Sequence, residues 1–401
     1  MTAQRTPRKK IGLALAGGGP EGAVYEIGAL RALEEALGGV DLNHLDVYVG
    51  VSAGGFIAAG LVNNITTPQM VRGMVKHERG EHPFTPSTFF TPAYREWAKR
   101  SLMLPFLVAR ALRHLVRQPK DQTLFESLTR LGRALPVGVF DNEPIRRYLA
   151  RTFTLKGRTD DFRKLKHKLI VVAADLSAGK AIRFGEPGWD HVPISTAVQA
   201  STAVPGLYPP VLVDGHHCVD GIILRTVHAS VALEDGADLL LCVNPLVPAD
   251  LSKAEKAGAV PAGLLVKRGL PTVLSQAIRT LIFSRLQVGM ATYKKRFPDA
   301  DVLLFQPAPT EYGMFFTNMF SFKARREVCE LAYASTRRDL LQRKDELIPV
   351  LARHGITLRV DVLEDASRTV WQSVGLSAAE GASDVGDKLG RTLAELEQLA
   401  S

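Results

Sequence analysis

Apolar residues in this chain come in short unbroken runs separated by stretches of helical spacing. Runs within residues 11–16, 46–51, 171–175, 237–245 and 301–307 are bounded by Gly, Pro, Asp or Asn. Runs of this length and composition read as strands covered on both faces. Between and beyond them, the spacing predicts helices at 20–37, 53–62, 264–286 and 325–351. Strands that alternate with helices in this way predict an α/β fold around a mostly parallel sheet. One segment breaks the pattern. Residues 211–220 place two apolar runs on either side of Asp214-Gly215, the signature of a tight antiparallel hairpin whose return strand ends at Asp220.

Chemistry gathers where those elements end. Residues 46–62 read as strand, Gly50-Val51-Ser52-Ala53-Gly54, then a helix of small and apolar residues. This is the context of a nucleophile elbow, in which a serine sits on a sharp strand-to-helix turn. The turn brings the flanking backbone very close together, and Gly50, Ala53 and Gly54 carry almost no side chain to obstruct it. The strand at 11–16 runs directly into Gly17-Gly18-Gly19-Pro20-Glu21-Gly22. Consecutive glycines can turn amide N–H groups toward one point and hold an oxyanion. Gly17, Gly19 and Gly22 also fit a dinucleotide-binding fingerprint, but that reading needs an acidic residue at the end of the next strand to hold the ribose. Here that strand ends in Ser52, while Asp41 and Asp46 precede it. Asp214 reads as a turn residue. Asp220 follows its strand and precedes a glycine, a position from which a carboxylate can serve as base to a serine.

Taken in order, Gly-Gly-Gly, Gly-x-Ser-x-Gly and Asp-Gly resemble the patatin-like phospholipases, lipid acyl hydrolases that use a Ser-Asp dyad. Residues 171–179 and 200–211 extend the resemblance, which covers about residues 10–230. It implies a three-layer α/β/α fold with a helical cap insertion. It also implies Ser52 as nucleophile, Asp220 as its partner and the amides of Gly17, Gly18 and Gly19 as oxyanion hole. The substrate implied is a lipid or phospholipid ester, with no metal and no organic cofactor. Three positions depart from the family's pattern: Glu21 stands where a basic residue is usual, Ile222 replaces a second small residue after Asp-Gly, and Arg225-Thr226-Val227-His228 replaces an Asn-x-Pro. Two further readings stay open at this level: acyl transfer with the same dyad, and a lipid-binding module that kept the fold without activity. A Ser-His-acid triad with His228 is a third, although His228 lies unusually close in sequence to Asp220.

Composition bounds the rest. With 401 residues, 46% of them hydrophobic, the chain can bury a large core. We expect a domain at about 8–350, with a helical, basic insertion at about 70–145, and a C-terminal extension at 351–401. Cys218, Cys242 and Cys329 are odd in number and widely spaced, which fits buried thiols in a reducing cytoplasm better than a disulfide framework. The basic start followed by residues 11–16 only faintly resembles a signal peptide. Residues 94–168 hold 18 Lys or Arg against 7 Asp or Glu, so the net charge of +9 is local. Within that segment, residues 101–117 place Arg110, Arg113, His114 and Arg117 on one helical face opposite an apolar one. This predicts a cap or a peripheral contact with the inner membrane face. No nucleic-acid reading motif accompanies the charge, and no apolar run approaches a membrane span. The Met- and Phe-rich residues 312–322 suit a satellite core or an acyl-chain lining, and the residues from about 376 on read as a tail.

Overall fold

The computed structural model describes residues 9–76, 88–94, 96–102, 106, 136–256, 258, 260–309, 311 and 322–376. Most of the insertion expected at about 70–145, including most of 101–117, lies outside these residues. So do residues 312–321 of the Met- and Phe-rich stretch and 377–401 of the expected tail.

The main sheet has eight strands. In chain order they are β1 (Ile11–Leu15), β3 (Val47–Val51), β6 (Lys168–Asp175), β7 (Lys180–Phe184), β8 (Val211–Val213), β9 (His216–Asp220), β10 (Leu239–Val243) and β11 (Asp301–Phe305). Their spatial order is β11-β10-β1-β3-β6-β9-β8, with β7 also on β6. The first five strands of that order are parallel, and β7, β8 and β9 add antiparallel pairs. Two-stranded pairs stand apart: β2 (Leu37–Gly38) on β12 (Thr357–Leu358), and β4 (Thr91–Pro92) on β5 (Phe140–Asp141).

Strand alternation divides the core into two layers. Leu13 and Leu15 of β1, with Leu169, Val171 and Ala173 of β6, face α1 (Gly19–Ala36), α2 (Ala53–Val62) and the helices Ile194–Ser201 and Phe322–Gln342. Ala14, Val49, Ile170 and Val172 face the other way, toward helices Ala229–Glu234 and Leu270–Arg296. Helices therefore cover both faces, as the sequence predicted. All ten residues of α2 are buried, which explains their size and apolarity. The helix expected through 264–286 is instead two, Leu264–Lys267 and Leu270–Arg296, broken at Gly269 with φ 79°. The helix expected through 325–351 likewise breaks at Arg343, between Phe322–Gln342 and Lys344–Ala352. Residues after 352 return to α1: Arg359 N–H donates to Ala36 O at 2.8 Å, and the Arg368 guanidinium pairs with the Glu35 carboxylate.

Candidate active site

The site lies at the carboxyl ends of the neighbouring strands β1 and β3, the usual ligand position of an open α/β sheet. Ser52 follows β3 and caps α2 with φ 54° and ψ −124°. That left-handed conformation costs a non-glycine residue about 1–3 kcal/mol. The surroundings enforce it. A Cβ on Gly54 would lie 2.4 Å from Leu15 O, and one on Gly50 would lie 2.5 Å from Gly55 Cα. Gly54 N–H also donates to Ala16 O at 3.1 Å, which locks the start of α2 onto the end of β1.

Sheet register brings Asp220 to this turn. One edge of β6 pairs with β3 as far as Val51 opposite Val172, and the same edge continues with β9, where Asp220 stands opposite Ala173. The two strands thus meet nearly end to end, and Ser52 and Asp220 face each other across the gap. The Ser52 hydroxyl stands close enough to the Asp220 carboxyl to favour its ionised form. Ile222 N–H donates to Asp220 Oδ1 at 2.9 Å, and Asp220 N–H to Ala203 O at 3.0 Å. Gly221 must be glycine, because a Cβ there would sit 2.5 Å from Val172 O. Ser52 and Asp220 are 2% and 1% exposed. Burial raises the Asp220 carboxyl to about 7, against the lowering effect of the nearby Ser52 hydroxyl and the Ile222 N–H.

The glycine loop supplies donors beside Ser52. A Cβ on Gly17 would lie 2.9 Å from Ser52 Cβ, so only glycine permits this approach. Gly18 leads into α1, and Gly19 takes φ 61°. Among the described residues, the N–H groups of Gly17, Gly18 and Gly19 have no acceptor, while Gly22 N–H returns to Gly18 O at 2.9 Å. The dinucleotide reading fails on position: Asp46 accepts from Ile11 N–H at 2.8 Å, at the opposite end of the sheet from the loop.

His228 is buried with φ 50°, and its Nε2 lies 3.2 Å from Gly221 O. Burial lowers its ring to about 4, leaving it neutral. It is held by the backbone after Asp220, whereas Ser52 is the side chain that favours the ionised form of Asp220. His216 Nδ1 pairs with Asp175 Oδ2 at 2.8 Å, and Asp214 takes φ 48° in the hairpin turn. Among the described residues, no group of three or more His, Cys, Asp or Glu is placed to hold a metal ion.

Two residues escaped the sequence reading. Ser201 Oγ accepts from Ser52 N–H at 2.8 Å and donates to Val172 O at 2.6 Å, so it ties the elbow to β6. Its only signal was its place at the start of 200–211, the segment that extends the family resemblance. Arg279, a lone cation within the apolar stretch 269–284, reaches Glu21 at 3.6 Å. A cation therefore does stand at the glycine loop, delivered by a distant helix. Burial raises the Glu21 carboxyl to about 7 in spite of Arg279. Ile222, the departure after Asp-Gly, sets its Cδ1 2.8 Å from where a Gly17 Cβ would be, over the loop.

Residues 13–233 match a family model described as patatin-like phospholipase. Solved structures give more distant likenesses. VipD from Legionella pneumophila is 14% identical with a TM-score of 0.33, over 92% of this chain and 82% of that one. The type III effector ExoU, from Pseudomonas aeruginosa, is 14% identical with a TM-score of 0.35, over 84% of this chain and 54% of its own. Human GIVD cytosolic phospholipase A2 in complex with methyl gamma-linolenyl fluorophosphonate is 14% identical with a TM-score of 0.31, over 83% of this chain and 58% of its own.

Proposed function

The chain belongs to the patatin-like phospholipase family, and we propose that it is a serine lipid acyl hydrolase, of phospholipase A or lysophospholipase type, working through Ser52 and Asp220. Ser52 Oγ attacks the ester carbonyl carbon as its proton passes to the Asp220 carboxylate. The amides of Gly17, Gly18 and Gly19 hold the oxyanion of the tetrahedral intermediate, where the loss of one such donor costs about 3–4 kcal/mol. Collapse breaks the bond to the alcohol, which leaves with the proton from Asp220. Water then attacks the acyl-enzyme, gives its proton to Asp220, and releases the fatty acid while Ser52 recovers its hydrogen.

The observation that supports this reading is the placement of the strained Ser52 beside the buried Asp220 carboxyl by sheet register, next to three amides without an acceptor among the described residues. Fatty-acid release from nitrophenyl esters and from mixed phospholipid vesicles tests it, with fluorophosphonate labelling alongside. We expect Ser52→Ala and Asp220→Asn each to lose at least about 10³-fold in kcat, and folded His228→Ala to keep most activity. Equal loss in His228→Ala would replace the dyad by a triad. An unlabelled, inactive wild type would leave a lipid-binding module.

A further inference from the structure

Helix Leu270–Arg296 is apolar on both sides. Its inner face buries Ile282, Leu286 and Tyr293 against the body. Its outer face exposes Leu270, Leu274, Ile278, Leu281 and Val288, each at least half exposed. Leu270, Leu274, Ile278 and Leu281, spaced by three or four residues, form one continuous stripe, and Val288 lies on the same side one turn beyond Ser284 and Arg285. Beside it, Leu265, Val273, Ala277, Leu281 and Arg285 line an open groove of about 670 Å³. A helix that buries one apolar face and leaves a second apolar stripe exposed calls for a partner.

Charge identifies the partner. Residues 264–298 carry seven Lys or Arg and no Asp or Glu. Lys267 and Arg268 are exposed at the start of this segment, and Lys294, Lys295 and Arg296 at its end. No helix among the described residues is long and apolar enough to cross a membrane. Arg279 is answered by Glu21 and Arg296 by Glu234 at 3.1 Å, which leaves Lys267 at one end and Lys294 and Lys295 at the other as exposed cations on a segment with no acid of its own. An apolar stripe between such cations fits the interface of an anionic bilayer, where acyl chains take the stripe and headgroups the cations. A second copy of the chain would bring the same excess of positive charge against itself.

The same helix is fixed to the candidate active site. Arg285 donates to Ile223 O at 2.8 Å, Thr226 Oγ1 donates to Ile282 O at 3.1 Å, and Arg279 pairs with Glu21. Its first half therefore runs along the end of the sheet that carries Ser52. We propose that the outer face of Leu270–Arg296 is the surface by which this protein docks on anionic lipid. Docking there would bring lipid to the end of the sheet where Ser52 stands. The proposal goes beyond the hydrolase reading and is tested without turnover.

The test uses the full chain carrying Ser52→Ala, with Leu281→Cys labelled by an environment-sensitive fluorophore. Cys218, Cys242 and Cys329 are buried, so the new thiol is the reactive one. We expect flotation with phosphatidylcholine vesicles doped with phosphatidylglycerol, accompanied by a blue-shifted emission. Binding should be weak on phosphatidylcholine alone and should fall steeply in about 0.5 M salt. Joint Ile278→Glu and Leu281→Glu substitution in the unlabelled chain should cut vesicle binding at least about tenfold with an unchanged melting temperature. Because the altered side chains are exposed, folding should be retained, and Leu270→Glu provides a second variant of the same stripe. The proposal is overturned by the absence of flotation, or by full flotation of the Glu variants. A lipid-free blue shift that grows with protein concentration, together with a dimer in sedimentation, would overturn it in favour of self-association.

Discussion

Two residues with opposed demands meet in Ser52 and Asp220. In the proposed reaction Asp220 is ionised to take a proton, yet its burial favours the neutral acid and lifts it from 3.8 to about 7. Activity on a soluble ester should therefore rise with pH through about 7, read as kcat/KM. Stability runs the other way. A folded-state value above the unfolded one means that the folded protein holds the extra proton between about 4 and 7. The contribution is complete below about 4 and is lost as pH rises through about 7. Glu21, raised in the same sense, adds to this loss. Asp220→Asn removes the first part, so its melting temperature should gain on wild type as pH is taken from 5 to 9. A constant difference would reject the assigned ionisation. Ser201 acts through Ser52's backbone and is a positioning residue. Ser201→Ala should lower kcat about tenfold with KM little changed, and should cost about 1–2 kcal/mol in urea unfolding for the buried donor and acceptor left without it.

At the scale of elements, the turn between β3 and α2 depends on missing side chains. A methyl group at Gly54 would overlap backbone atoms of β1, which cannot move without shifting the central strand. Gly157 is the contrast, with φ 85° and open space around it. Gly157→Ala should cost about 1 kcal/mol of conformational energy. Gly54→Ala should cost about 3 kcal/mol or more, or prevent folding altogether, as measured by urea denaturation. Equal costs at the two positions would mean that the turn is looser than its geometry indicates. The end-to-end meeting of β3 and β9 on β6 is the second element-scale device. It sets Asp220 by strand register, which is more rigid than a loop would be.

At the scale of the molecule, Arg279 joins the outer helix to the glycine loop through Glu21, each with a side chain about one-seventh exposed. Removing one partner of a buried ion pair leaves the other charge uncompensated. Arg279 lowers Glu21's affinity for protons, so without it Glu21 must stay neutral or be buried as an unpaired charge. Arg279→Met should therefore destabilise the protein more at pH 8 than at pH 5, and Glu21→Gln in the same chain should recover much of the loss at pH 8. Melting curves of the two single variants and the double variant at both pH values check this. A pH-independent loss would mean that Arg279 acts through packing alone.

Local order alone determined much of this protein. Apolar runs within 11–16 and 46–51 become strands because few other structures bury so short and unbroken a run on both faces. Gly-x-Ser-x-Gly after one run and Gly-Gly-Gly after the other mark tight backbone passages, and Asp214-Gly215 fixes a hairpin through left-handed φ values that the pair tolerates. Those signals are short-range, so they are legible without a fold. The breaks at Gly269 and Arg343 were not, since helical periodicity continues through both. Tertiary structure alone decided that Asp220 is brought to the Ser52 turn while His228 is held against Gly221 O, that Ser201 holds the elbow, and that Arg279 answers Glu21. Each of these pairings joins residues distant in sequence or chooses between neighbours of similar chemistry. Sheet register and burial make that choice, and neither is written in the spacing of residues along the chain.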